Sequence, residues 1–178
     1  TCDGTNPGIC SSTSNCLAPG SVGECTCVYC DSLVSYWSFD AGFGETAFDS
    51  VISSGNDGGL VGGVSWIGGG AMGTGLSFDG DDDYVRIPDD PSGSLDPLNA
   101  LTVVALAKVN GQSPDNDHPR VFSKGQSTNT DGSYSLVVTD TSLDKVYCRL
   151  VLDGTRYDVE DTSGVENDNS WHQYACVF

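Results

Sequence analysis

No window of this chain sustains apolar residues at helical spacing for three turns, so its core has to come from strands. The apolar residues arrive in short runs cut by Gly, Asp and Asn, and 23 of the 178 residues are glycine, a turn-rich β pattern. Residues 76–88, LSFDGDDDYVRIP, show the pattern in miniature. Val85 and Ile87 fall on one face of an extended segment, with Tyr84 and Arg86 on the other. Asp79-Gly80 opens a turn that uses the left-handed backbone region, and Pro88 ends the second piece by removing a ladder donor. The spacing predicts a β-hairpin whose tip carries Asp79, Asp81, Asp82 and Asp83.

Charge narrows the class of partner. The chain has 25 acidic against 7 basic residues, a formal net charge of −18. That balance opposes binding to nucleic acid or to an anionic membrane and suits calcium and an extracellular setting. Nothing in the sequence reads as a signal peptide, and no apolar run is long enough to span a membrane, so membrane insertion is not expected. A mature secreted or cell-surface chain, or a fragment of one, is the expectation. N-glycosylation is not expected, because no Asn-x-Ser/Thr sequon occurs; O-linked sugars remain open.

The 8 cysteines are even in number, which argues for an oxidising compartment, but they are unevenly placed. Cys2, Cys10, Cys16, Cys25, Cys27 and Cys30 crowd residues 1–31, among Gly, Pro, Ser and Asn with almost nothing to form a core. So short a segment needs staples, and it reads as a disulfide-rich microdomain. Six cysteines allow fifteen pairings. A zinc site from Cys25, Cys27 and Cys30 is the rival reading. The gaps, ending in Gly23-Glu24-Cys25-Thr26-Cys27, resemble the first five cysteines of an EGF-like module, although Cys30 comes too soon for that family's last loop. The resemblance implies Cys2–Cys16 and Cys10–Cys25, leaving Cys27–Cys30.

From residue 33 the composition changes to strand types. Leu33-Val34-Ser35-Tyr36-Trp37-Ser38-Phe39 predicts an aromatic-rich strand buried against a second sheet. Short strands follow near Leu60-Val61 and at Val64-Ser65-Trp66-Ile67. Further on, residues 146–152 and 155–159 predict a hairpin turning at Asp153-Gly154, and residues 171–178 the next strand. Such strands, spaced by turns and without intervening helices, predict a sandwich or barrel. Cys148 and Cys176 are expected to form a disulfide between neighbouring strands, which requires Cα atoms within about 7 Å.

The ordered motifs Tyr-Trp-Ser-Phe-Asp (36–40), Asn-Asp-Gly-Gly-Leu (56–60) and Gly-Leu-Ser-Phe-Asp-Gly-Asp-Asp-Asp-Tyr-Val (75–85) resemble the laminin-G-like branch of the concanavalin A-like lectin/glucanase superfamily. ALTVVALAKV (100–109), VFSKG (121–125), SYSLVV (133–138) and SWHQYA (170–175) extend the likeness over residues 33–178, with Leu106 where the family often carries Trp. It implies an all-β, two-sheet antiparallel jelly-roll sandwich behind the small N-terminal microdomain. Family members continue with further strands after the last motif, so a fragment is expected, or strands supplied by another chain through β-augmentation.

Catalysis is not expected. Glucanases of the superfamily place carboxylates on one face of one strand, about 5–5.5 Å apart in retaining enzymes. The nearest approach here is Asp158-Val159-Glu160-Asp161, where Asp158 and Glu160 share a face and no third carboxylate stands at the right step. His118 and His172 stand alone. Calcium is the expected cofactor, since a hard cation takes several oxygen ligands gathered by turns. Neither Asp79-x-Asp81-x-Asp83 nor Asp115-x-Asp117 completes an EF-hand. By analogy with the superfamily, Asp40 with Asn56 and Asp57 are candidate ligands, and the tip Asp79, Asp81 and Asp83 is a second group. Trp37, Trp66 and Trp171 are expected in the core rather than as sugar platforms. The polar loops 113–120 and 126–132 are where a ligand would bind.

The function these features imply is a non-catalytic adhesion or structural module, a building block of an extracellular fibre or matrix. Its partners would be other extracellular chains, copies of itself, or glycans. A calcium-dependent glycan-binding lectin is the alternative, and a glycoside hydrolase a distant third.

Overall fold

The computed structural model describes residues 33–51, 54–96, 99–109, 120–125, 132–138, 146–161 and 168–178. The N-terminal calls therefore lie outside the described residues: the pairings of Cys2, Cys10, Cys16, Cys25, Cys27 and Cys30, and the rival zinc set. So do Asp115, Asp117, His118 and most of the loops at 113–120 and 126–132.

The described residues contain strands and no helix. In chain order these are β1 Thr46–Ala47, β2 Gly58–Val61, β3 Ser65–Gly68, β4 Thr74–Ser77, β5 Tyr84–Arg86, β6 Thr102–Lys108, β7 Arg120–Lys124, β8 Tyr134–Val138, β9 Val146–Leu152, β10 Thr155–Asp161 and β11 Trp171–Val177. All pairing is antiparallel, in four ladders ordered β1-β2-β5, β3-β4, β10-β9-β8-β7 and β11-β6.

The hairpin expected at residues 76–88 is not one. Strands β4 and β5 flank the acidic segment but do not pair with each other. Leu76 of β4 lies opposite Trp66 of β3, and Val85 of β5 opposite Leu60 of β2. The two ladders are successive halves of one long hairpin whose tip is at Gly69 to Gly73, where the Gly70 N–H donates to the Gly73 carbonyl at 3.0 Å. The acidic segment is the longer side of a break between the halves. Opposite it, Gly62 has φ +86, and a Cβ there would lie 2.5 Å from Asp83 Oδ1 and 2.8 Å from the Asp82 carbonyl. Only glycine fits that close approach.

A second correction concerns residues 33–39, which form no strand. The segment is held instead by its neighbours' polar groups. Tyr36 donates its N–H to Asp49 Oδ1 at 2.9 Å and accepts from the Ser50 N–H at 2.8 Å. Trp37 Nε1 donates to the Asn56 carbonyl at 2.7 Å.

The hairpin at Asp153-Gly154 forms as its turn chemistry dictates. Both residues take positive φ, 49° and 69°, and Thr155 pairs with Leu152 directly across. Strands β7, β8 and β9 complete this four-stranded sheet, with a register shift between Arg120 and Phe122.

The inner face of that sheet packs on the β6–β11 ladder. Leu136 and Val138 of β8 meet Tyr174 and Cys176 of β11, with Phe122, Val146, Cys148 and Ala107 around them. Each large apolar side chain so buried contributes about 1.5–3 kcal/mol. Cys148 and Cys176 are bonded, with Cα atoms 5.7 Å apart. They are not neighbours in one ladder, as expected, but join β9 to β11 and so tie two ladders together.

Candidate functional site

Asp153-Gly154 apart, most turns here are built by carboxylates that accept backbone N–H groups, and this decides what the candidate ligands can do. Asp40 Oδ1 accepts the Thr74 N–H at 3.2 Å, while Thr74 Oγ1 donates to the Phe39 carbonyl at 2.7 Å. Together they fasten residues 39–40 to the start of β4. Asp57 Oδ1 accepts the Asp49 N–H at 2.8 Å. Asn56 is buried, donating from Nδ2 to Ser35 Oγ at 2.8 Å and Ser94 Oγ at 3.1 Å. A buried amide needs such partners, and here it uses them to knit three stretches of irregular chain.

The acidic segment is the other candidate. Asp83 reaches across the hairpin break, accepting the Gly63 N–H through Oδ1 and the Asp79 N–H through Oδ2, the latter at 2.9 Å. Asp79 Oδ1 accepts the Asp81 N–H at 2.9 Å. Carboxylate oxygens of Asp79, Asp82 and Asp83 lie within 4.8 Å of one another, the one such acidic group among the described residues. Of the expected ligand set Asp79, Asp81 and Asp83, this group holds Asp79 and Asp83, and its third member is Asp82. Asp40, Asn56 and Asp57 do not join this group. Calcium takes six to eight oxygens at about 2.3–2.6 Å, so three carboxylates supply part of a shell, and two of them already accept N–H groups.

Sequence reasoning passed over Asp49. Its Oδ1 accepts from the N–H groups of Tyr36 and Val51, both at 2.9 Å, and Ser54 Oγ donates to Oδ2. Partial burial pushes this carboxyl up, but the bonds from Ser54, Tyr36, Val51 and Ser35 outweigh it and hold it below the usual carboxylate range. The signal was present as an Asp bonding the amide two residues on, with a serine following. The hydroxyl of Tyr134, donating to the Leu95 carbonyl at 3.0 Å, was equally unforeseen; burial raises its pKa.

The carboxylates of β10 split between its faces. Asp158 holds Arg149 at 2.8 and 3.1 Å and Arg156 at 3.1 Å. Val159 and Asp161 lie on the opposite face from Asp158 and Glu160. His172 is not alone, since Nε2 lies 2.9 Å from Asp168 Oδ1. That contact comes first among the causes that lower the Asp168 pKa.

Of the tryptophans, Trp37 and Trp66 are half-buried, and Trp66 Nε1 donates to the Gly44 carbonyl at 2.7 Å. Trp171 is half-buried as well. It shares the outer face of the β6–β11 ladder with Gln173, Ala175 and Val177, and Lys108 Nζ sits 5.8 Å from its ring centroid. The same face exposes Val104, Leu106 and Val177, the last at 75 %. On the inner side a cleft of about 430 Å³ separates β10 from β11. No family model, no curated protein and no solved structure matches the chain.

Proposed function

We propose that this chain is a non-catalytic module of an extracellular assembly, a laminin-G-like jelly roll behind a small disulfide-rich segment, acting through sheet faces and edges. The observation that carries the reading is the β6–β11 ladder. It is two strands wide and disulfide-tied on one side, with Val104, Leu106 and Val177 exposed on the other. An apolar face rimmed by Lys108 and Gln173 is the kind of surface that proteins cover with other proteins. The bridge suits an oxidising, secreted or cell-surface setting.

Two measurements test the reading. Light scattering on the 178-residue chain across ionic strength should show growth beyond the monomer as salt screens its charge of −18. A strictly monomeric particle at every salt concentration counts against a building block. Incubation with β-glucans should release no sugar, and hydrolysis abolished by Glu160→Gln would replace the module with an enzyme.

A calcium-dependent glycan-binding lectin is the second reading, favoured by the convergence of Asp79, Asp82 and Asp83. In it these carboxylates hold the cation beside the hairpin break, with carbonyls and water completing the shell. A glycan array read with calcium and again with chelator tests it; no calcium-dependent signal removes it.

A further inference from the structure

The four-stranded sheet is wider than the ladder that covers it. β11 reaches only as far as β9, to which Cys176 is bonded through Cys148. β10 lies one strand further out. Val159 stands directly across from Cys148, and therefore on the same inner face, yet is 73 % exposed; Tyr157, two residues before it, is 56 % exposed. The cleft between β10 and β11 is lined by Val159, Glu160, Asp161, Gln173, Tyr174 and Ala175 among others.

Among the described residues, no strand claims the backbone groups that β11 turns to that cleft. Phe178 and Leu101 exchange both hydrogen bonds, at 2.8 and 3.1 Å, which fixes the phase of the ladder. Counting back in steps of two, Cys176, Tyr174 and His172 turn their N–H and C=O groups to β6. Those of Gln173, Ala175 and Val177 point away from it, and Cys148 Sγ, across the gap, lies 3.9 Å from the Ala175 carbonyl. A strand added there would lie about 4.8 Å from β11, above the uncovered side chains of β10.

We propose that this edge of β11 is the docking site for one extended strand of a separate, basic polypeptide. The strand hydrogen-bonds to Gln173, Ala175 and Val177, sets alternate apolar side chains on Val159 and Tyr157, and turns the Lys or Arg between them to the open side, away from β10. Charge selects this occupant. A second copy carries the same −18 and is repelled, whereas a basic chain is attracted at long range. The proposal rests on the assembly-module reading and deepens it by giving the partner's chemistry.

The probe is an alternating Val-Lys peptide of 7 residues, the length of β11. In the full chain at physiological salt, the amides of Gln173, Ala175 and Val177 should exchange rapidly with deuterium, then slow by about tenfold or more at millimolar peptide. An alternating Val-Glu peptide and an N-methylated Val-Lys peptide should protect none of them. Val159→Arg, at an exposed position, should weaken Val-Lys binding about tenfold through like-charge repulsion. Unprotected amides at saturating Val-Lys peptide, or equal protection by Val-Glu, would overturn the proposal. So would amides already protected in dilute chain, which means that another part of the chain covers the edge. Protection that grows with protein concentration alone replaces the basic partner with a second copy. If salt-induced assembly persists while the edge stays unprotected, the module reading stands and the strand seat falls.

Discussion

Removing the bridge between β9 and β11 tests how the two ladders are held together. Cys148 and Cys176 are 28 residues apart, and closing a loop of that size takes about 12 cal/mol/K from the unfolded chain, or ~3.6 kcal/mol at 25 °C. Cys176 is wholly buried among Leu136, Val138 and Tyr174, so truncating it to Ala adds about 1 kcal/mol of lost packing. The double variant Cys148→Ala/Cys176→Ala should therefore be ~4–5 kcal/mol less stable, a large share of the roughly 5–15 kcal/mol of a whole domain. With a slope of about 2 kcal/mol per M, its urea midpoint should fall by ~2 M. Fluorescence-monitored urea unfolding reads this, and the double variant changes this bridge alone. A loss under ~1 kcal/mol at unchanged slope would refute the reasoning, because the two ladders would then hold together without the covalent tie.

The close approach at the hairpin break gives a local counterpart. Gly62→Ala should cost about 2–3 kcal/mol in the same unfolding assay, from the left-handed backbone and the Asp82 carbonyl. Gly44→Ala, at φ +81 with nothing within 4 Å, should cost only about 1 kcal/mol. Tyr134→Phe should lose about 1 kcal/mol by orphaning the Leu95 carbonyl, measured by thermal melting. Asp49 has a pKa lowered on folding, so its stabilisation is present above the unfolded value near pH 4 and is lost as pH falls through the folded value. The stability gap between the wild type and Asp49→Asn should accordingly close as an acid titration descends below about pH 4. Calcium should raise the melting temperature if the acidic segment binds it, and Asp82→Asn should reduce that rise.

What could be read from the sequence was local. The turn at Asp153-Gly154 was legible because both φ values it needs are positive, and Asp and Gly tolerate them. β9, β10 and β11 were legible as runs of strand residue types, whereas β6 and β8 were placed only by the motif likeness. Partner choice was not legible. The alternation in residues 76–87 gives two strands and says nothing about which strand each pairs with. That was settled by the glycine tip at Gly69 to Gly73 and by Gly62, which let the chain fold back earlier. The run at 33–39 has strand side chains, but Asp49 and Asn56 take its backbone and indole donors. Trp171 shows the limit of alternation, which fixes that neighbours face opposite ways without fixing which way is in. The carboxylates read as candidate calcium ligands instead accept backbone N–H groups at Asp40, Asp57, Asp79 and Asp83, as short acidic side chains in turns do.

The two rims of the four-stranded sheet have a consequence for how this chain avoids piling up. One rim, β10, displays Arg156, Asp158, Glu160 and Asp161; the other, β7, displays Arg120 and Lys124. Charged outermost strands resist uncontrolled polymerisation, because each newcomer would have to bury them. Among the described residues β6, the other outermost strand of the smaller ladder, carries Lys108, whereas β11 has no Lys, Arg, Asp or Glu and presents Gln173, Ala175 and Val177 along its unclaimed side, so of these four gates it is the least guarded.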